Sequence, residues 1–298
     1  MVRKTLYATE IAVILGLNKY RSISDIYLRL YEKYNGEKMK QLMTEGNLKK
    51  EATPEEVIRE LNEKYGLQVN MKEDVKLDTT HSLRQSRQAL EERIRSNEKI
   101  NGEDQTRMLE AVKSVGNTSF GNTNEDRILE EYCRIHMKKY KARDQKFVVK
   151  CLSPFHLEST RLETQGLSDD NVEGDRWYLG GKIDAMLEDG TIIEVKNRAG
   201  GRLFKVLRNY EQAQVQAYLF IFECEKACLV EGLINTKGTT IHVIEETFRK
   251  EMWNDILKTL LTFGKVYDRT SSDDKFMEEF LKMSKENRDT TLFTLLSG

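Results

Sequence analysis

Between Gly180 and Lys196 the chain reads GGKIDAMLEDGTIIEVK, and three of its side chains, Asp184, Glu194 and Lys196, can do chemistry together. Glu188-Asp189-Gly190 is a hairpin-turn signal between two apolar runs, with glycine free to take a positive φ. A three-residue loop pairs Leu187 with Thr191, sets Asp184 opposite Glu194, and sets Lys182 opposite Lys196. Side chains alternate along a strand, so Lys196 shares the face of Glu194 while Ile183, Ala185, Ile193 and Val195 point the other way. A two-residue loop would put Asp184 on the face opposite Glu194, so the three-residue loop is expected. Two carboxylates opposed in a semi-apolar setting repel one another and favour a divalent cation between them. Hard oxygen ligands suit Mg²⁺, with Mn²⁺ as a substitute, and a nearby lysine can hold or polarise a water beside the metal. That combination is equipped for metal-assisted hydrolysis of a phosphodiester. The residues alone leave an ordinary solvated cross-strand ion cluster open. Acid-x-Lys recurs at Asp74, Asp144 and Asp273, but only Glu194-Val-Lys196 follows a β-branched run and a Gly-x-x-Asp (Gly181 to Asp184).

The elements that must position these residues follow from periodicity. Residues 5–35 read as two helices, with Thr9 capping the first, Gly16 ending it, and a Ser22/Asp25 capping box opening the second. Residues 36–115 are dominated by Lys, Glu, Asn and Gln and read as a charge-rich helical insertion, with amphipathic stretches near 55–65, 83–99 and 104–115. Composition shifts at Gly116, and Thr123-x-x-Asp126 reads as another capping box for a helix running to about Lys141. Strands are expected at 146–151, 176–188, 191–197, 226–234 and 239–245, a helix at about 209–224, and a helical tail from 246. The expected class is α/β, a mixed central sheet flanked by helices with a helical insertion. The segments are 1–35 and 116–245 for the core, 36–115 for the insertion and 246–298 for the tail.

The chain has 298 residues, 39 % hydrophobic and 33 % charged, with a formal net charge of −1. This excludes a uniformly basic nucleic-acid coat, so any polyanion site must come from local clustering. No apolar run approaches the ~20 residues of a membrane span. The opening MVRKTLYATE lacks a secretory apolar stretch, and an intracellular protein without membrane attachment is expected. The two prolines, Pro54 and Pro154, argue against a Pro-rich linker. Four cysteines fit neither a disulfide framework nor a paired zinc site, and His81, His136, His156 and His242 show no zinc or triad spacing.

Gly181-x-x-Asp184, Glu194-x-Lys196 and Gln214-x-x-x-Tyr218 in this order resemble the PD-(D/E)XK nuclease superfamily. The likeness is to its lambda-exonuclease-like branch of YqaJ-type viral recombinases, near RecB-type nuclease domains. Ala8 to Tyr20 (ATEIAVILGLNKY) is similar to that branch's opening motif, and Gly121-x-x-x-Glu125 to the start of its pre-sheet helix. The likeness covers about 5–35 and 116–245 and leaves 36–115 and much of the tail without a counterpart. It implies a restriction-endonuclease-like core in which Asp184, Glu194, the Val195 carbonyl and Glu125 hold the metal. Lys196 would orient or activate the attacking water, with Gln214 near the metal and substrate and Tyr218 beside it. Arg3 and Thr9 are the nearest matches to the branch's 5′-phosphate contacts, with the spacing off by about one residue and Thr for the usual Ser. Cys224-x-x-x-Cys228 lacks the pattern of relatives that carry an iron–sulfur cluster, so none is expected.

Two local clusters suit a polyanion. Lys138, Lys139, Lys141, Arg143, Lys146 and Lys150 form one; Arg198, Arg202, Lys205 and Arg208, around Gly200-Gly201, form the other, beside the candidate site. The resulting expectation is a Mg²⁺-dependent 5′→3′ exonuclease on double-stranded DNA ends, serving recombination or replication. An endonuclease on the same core and a DNA-binding scaffold that retains the fold are the alternatives. The resemblance further implies a ring-shaped homotrimer, a single-strand-annealing partner and a viral or phage-like origin.

Overall fold

A computed structural model describes residues 2–48, 51–143, 146–152 and 176–298. Asp144, Pro154 and His156 lie outside the described residues, as does the side chain of Arg143. The chain opens with β1 (Arg3–Tyr7), a 3₁₀ turn at Ala8–Glu10, α1 (Ile11–Ile14), α2 (Ile23–Tyr34) and α3 (Gly36–Glu45). Next come α4 (Pro54–Tyr65), α5 (Met71–Asp74), α6 (Thr80–Arg95), α7 (Gly102–Thr123) and α8 (Glu125–His136). Then follow β2 (Tyr140–Arg143), β3 (Val148–Cys151), β4 (Arg176–Gly181), β5 (Ala185–Leu187) and β6 (Ile192–Asn197). The chain finishes with α9 (Asn209–Phe222), β7 (Lys226–Asn235), β8 (Gly238–Thr247), α10 (Lys250–Ser271), α11 (Asp274–Lys282) and α12 (Lys285–Ser297). The class is α/β, with mixed sheets flanked by helices.

The described strands form two sheets where one was expected. One has the order β1-β4-β3, with β1 parallel to β4; the other is β2-β5-β6-β7-β8, with only β6 and β7 parallel. The expected single run 176–188 therefore breaks. β4 ends at Gly181, and the chain passes through Lys182, Ile183 and Asp184 into β5 of the second sheet. Ile183 accordingly joins the main core rather than the apolar face of Ala185, Ile193 and Val195. The hairpin itself keeps its expected register, with Ala185 opposite Ile193 and Met186 opposite Ile192. Leu187 N–H donates to Thr191 O at 2.9 Å, and Gly190 takes φ 83°.

β6 is covered on both sides, which explains its near-continuous apolar run. Ile193 and Val195 pack under Ile128, Leu129 and Tyr132 of α8, while Ile192 faces the main core. That core also takes in Tyr27, Trp253, Leu257, Phe263 and Tyr267, so the C-terminal helices are part of the main body and not an appendage. Each such buried side chain contributes about 1.5–3 kcal/mol. The insertion has its own core of Leu61, Leu83, Leu90, Ile94, Met108, Val112 and Phe120. Its α4 opens on a Thr53/Glu56 capping box with Pro54 in the first turn, and Gly66 at φ 65° closes it.

Several local expectations are corrected. Residues 3–7 form a strand ahead of α1, because alternating Lys4 and Leu6 are buried where β1 lies along β4. Thr9 lies exposed inside the 3₁₀ turn and caps nothing, and Asp25 pairs with Lys285 of α12 instead of closing a box with Ser22. α7 runs straight through the expected boundary at Gly116 to Thr123, so Gly121 belongs to it. The Thr123/Asp126 box is absent: Thr123 Oγ1 donates to Ser119 O, and Asn124 occupies the N-cap of α8. Among the described residues, no helix is long and apolar enough to cross a membrane.

Candidate active site

Three elements converge on one half-buried polar cluster. The first is the kink between the two sheets, which carries Asp184. Strand pairing of β5 with β6 begins at Ala185, and the Oδ2 of the preceding Asp184 accepts from the Val195 backbone N–H at 2.6 Å. The second is β6, which aims Glu194 and Lys196 at the same face; Lys196 Nζ donates to Glu194 Oε1 at 2.5 Å. The third is α9, packed over that face. Its Gln214 Nε2 donates to Glu194 Oε1 at 3.0 Å and to the Tyr218 hydroxyl at 2.9 Å, and Gln214 Oε1 lies 3.4 Å from Lys196 Nζ. Gln214 and Tyr218 share a helix face because they are four residues apart.

Gly181 is what lets α9 approach. A Cβ there would lie 2.8 Å from Tyr218 Cε1, so only glycine admits the ring against the end of β4. Glu125 stands at the N-terminus of α8, where the break after α7 directs it toward the same pocket; its charge acts on both Asp184 and Tyr218.

The electrostatics are those of a carboxylate surplus. Burial pushes the Asp184 carboxyl up to about 8, with Glu194 and then Glu125 adding to the shift against the Val195 N–H and Lys196. For Lys196, burial works against the ammonium, but attraction and hydrogen bonding to Glu194, helped by Asp184 and Glu211, hold its pKa above the ordinary lysine value. Lys196 is therefore a charged donor at neutral pH and not a base. The Tyr218 hydroxyl is pushed up by burial and by the same carboxylates, so it stays protonated.

The basic residues proposed around the site divide sharply. Arg198 is buried at 7 % exposure, with Nε donating to Glu231 and Nη1 to Glu211, both at 2.7 Å. It serves the fold, and the expected nucleic-acid contact at Arg198 is withdrawn. Arg208 is half-buried on Glu211 and stacks over Phe204. Arg202 and Lys205 are exposed. Arg3 is misplaced for a site contact: it pairs with Arg176 at the opposite end of β4 from Gly181, about 13 Å from Tyr7 at the strand's rise per residue. Thr9 lies beyond the near end of β1, so the two do not form one subsite. In the other basic cluster, Lys138 pairs with Asp189 and Lys150 with Glu223. Tyr218 is buried against Gly181 and Gln214, so it acts within the pocket rather than on a bound strand.

Sequence reasoning missed Glu231 and Glu211. Both had a signal: Glu231 interrupts the apolar run Cys228–Ile234, and a buried carboxylate there requires a cation partner. Glu211 stands three residues after Arg208 in the first turn of α9. Gln216, set aside on sequence grounds, clamps β8 to α10: its Nε2 donates to Thr247 O at 2.7 Å, and Arg249 N–H donates to its Oε1 at 2.9 Å.

No family model matches the chain, and no curated protein does. Among solved structures it is similar to an alkaline exonuclease (LHK-Exo) from Laribacter hongkongensis, at 11 % identity and a TM-score of 0.34, over 74 % of this chain and 96 % of that one. The LHK-Exo complex with dAMP matches at 10 % identity and a TM-score of 0.33, over 73 % and 96 %. A phage related exonuclease from Haemophilus somnus 129PT matches at 14 % identity and a TM-score of 0.33, over 55 % and 73 %.

Proposed function

We propose that the chain is a metal-dependent nuclease that hydrolyses DNA phosphodiesters, acting as a 5′→3′ exonuclease on duplex ends. The observation that carries this reading is the crowding of carboxylates at Asp184, whose carboxyl is pushed up to about 8 by burial first and then by Glu194 and Glu125, against the Val195 N–H and Lys196. A buried surplus of this kind suits a divalent cation. Its donors are all oxygens, which favours Mg²⁺ or Mn²⁺. Among the described residues no three acidic, imidazole or thiol side chains close a cage by themselves. Mg²⁺ is commonly held by one or two carboxylates with water and substrate phosphate completing its shell. Asp184 and Glu194 would hold the ion, with the Val195 carbonyl and Glu125 in support. Bound there, it would supply a polarised phosphoryl group and a water of lowered pKa.

The chain's own residues do the rest. The Lys196 ammonium donates to a water or a non-bridging oxygen beside Glu194. Gln214 fixes the Glu194 carboxylate through its N–H and holds its own carbonyl toward Lys196, so both side chains keep one rotamer. Tyr218 fixes Gln214 in turn.

The test digests linear 5′-phosphorylated duplex beside a closed circle of the same sequence, with Mg²⁺, with EDTA, and with Glu194→Ala. Metal-dependent loss of the linear DNA alone, abolished in Glu194→Ala, is expected. Cutting of the circle would make the enzyme an endonuclease. Binding without cleavage in every lane would leave a scaffold and overturn the reading.

A further inference from the structure

Two residues beyond Lys196 the chain leaves β6 and crosses to α9 through segment 198–208, and this crossing is built unlike an ordinary surface loop. Three side chains brace it from beneath. Glu231 stands on β7 directly beside Lys196 in the parallel ladder and is fully buried. Its Oε1 accepts from Arg198 Nε at 2.7 Å and from the Phe204 N–H at 3.2 Å, and its Oε2 accepts from the Lys205 N–H at 2.8 Å. Glu211 accepts from Arg198 Nη1 at 2.7 Å and from Arg208 Nη2 at 2.6 Å. Phe204 fills the centre, with the guanidiniums of Arg198, Arg202 and Arg208 at 4.8, 5.3 and 3.9 Å from its ring centroid.

The backbone conforms to these anchors. Lys205 takes φ 59°, a left-handed conformation unusual for lysine, because its N–H and that of Phe204 both turn down onto Glu231. Its ammonium is thereby sent outward, and Arg202 is exposed on the same crossing. The insertion completes the rim. Arg84 of α6 reaches over and donates to Gly200 O, and a Cβ on Gly201 would lie 2.6 Å from that guanidinium, so the glycine at φ 69° makes room for it. Ala199 packs into the insertion's own core, and Asn197 Nδ2 donates to Phe120 O of α7 at 2.8 Å, which fixes the insertion to this end of β6.

We propose that segment 198–208 is a preformed seat for the phosphodiester backbone of duplex DNA, with Arg202 and Lys205 supplied by the crossing and Arg84 by the helical insertion. Glu231 and Glu211 are its positioning residues: they cancel the two inner arginines and hold the outer cations in place without touching the strand. This deepens the nuclease reading and rests on it. It also gives the insertion a role, since its α6 brings Arg84 across to the crossing.

The test uses the full chain in EDTA, with anisotropy of a labelled 5′-phosphorylated duplex across a salt series, and then cleavage kinetics with Mg²⁺. The exposed triple variant Arg84→Ala/Arg202→Ala/Lys205→Ala is expected to lose at least about tenfold in affinity near 0.1 M salt. It should flatten the slope of log K against log salt by about 3, close to one per lost phosphate contact, and Arg84→Ala alone by about 1. Glu231→Gln, with melting and circular dichroism confirming a folded chain, should raise KM several-fold while kcat stays within about twofold. An unchanged slope in the triple variant overturns the seat, and an unchanged slope in Arg84→Ala removes the insertion from it. A fall in kcat without a rise in KM for Glu231→Gln would reduce that residue to a general structural role. The two readings fail separately. Wild type that binds steeply with salt but never cuts keeps the seat and loses the nuclease, whereas wild type that cuts while the triple variant matches it loses only the seat.

Discussion

Two charge clusters lie side by side at the C-terminal end of β6, around Glu194 and around Arg198 just past the strand, and they are resolved in opposite ways. Around Arg198, two guanidiniums (Arg198, Arg208) meet two carboxylates (Glu211, Glu231), and the charges cancel. Burial there works against ionised Glu211, yet bonds from Arg208 and Arg198 hold its pKa below the ordinary glutamate range. Around Glu194, burial first and then the charges of Glu194 and Glu125 drive Asp184 up to about 8, against the Val195 N–H and Lys196. Arg198, Glu211 and Glu231 are buried, as is Glu194, while Asp184 and Lys196 are half-buried. A balanced buried cluster is complete within the fold. A buried surplus of one sign is costly and points to a partner from outside the chain. Position on the strand does not distinguish them, but the charge count does.

The comparison breaks most visibly at Glu194. Glu194→Gln removes one member of the surplus and should lower kcat on duplex DNA by about 10²–10³-fold or more, in the range of losing a principal electrostatic stabiliser. EDTA should reproduce that loss in the wild type. The counterpart, Glu231→Leu, leaves Arg198 buried with half its partners and should cost about 3–5 kcal/mol of stability, read from urea unfolding. Because the Arg198 cluster is balanced, the pair Arg198→Met/Glu231→Leu should regain part of that loss, though not all, since Glu231 also holds two backbone N–H groups. No compensating second change should restore activity to Glu194→Gln.

Asp184→Asn sharpens the contrast through pH. The folded pKa of about 8 lies above the ordinary aspartate value, so the folded metal-free protein binds more protons than the unfolded chain. Ionised Asp184 thus weakens the fold: the loss is absent below about pH 4, grows as pH rises toward 8, and is complete above it. In EDTA at pH 8.5, Asp184→Asn should be more stable than wild type by on the order of a few kcal/mol, with little difference at pH 4. Equal stability at both pH values would show that neither burial nor the neighbouring carboxylates raise the Asp184 carboxyl.

How much of this was legible in the sequence follows from range. The hairpin register, Gln214 and Tyr218 on one helix face, and the helical character of the insertion are local patterns, and the structure has them. What failed depended on distant partners. The break between β4 and β5 arises because β1, more than a hundred residues upstream, takes β4 into a separate sheet. Arg198 looked like a surface cation because Glu231 comes from another strand. Arg3 looked close to Thr9 in the chain, but β1 sets them at opposite ends of a strand. The insertion's approach to Gly200 depends on how α6 and α7 dock, which no spacing within 36–115 encodes.

The smallest expected effects lie in the chain of support from α9 to Glu194. Gln214→Ala removes the donor to Glu194 Oε1 and should lower kcat/KM by about 10–100-fold, as for groups that orient a metal's ligands. Tyr218→Phe should cost less than about tenfold, because the hydroxyl gives Gln214 one of its partners while Glu194 and Lys196 still hold that amide. If the ring rather than the hydroxyl sets the height of α9, Gly181→Ala must hurt more than Tyr218→Phe. Its Cβ would push on Tyr218 Cε1 and carry Gln214 away from Glu194 along with the helix. The reverse order would make the hydroxyl's hydrogen bond, and not the close packing at Gly181, the element that fixes Gln214.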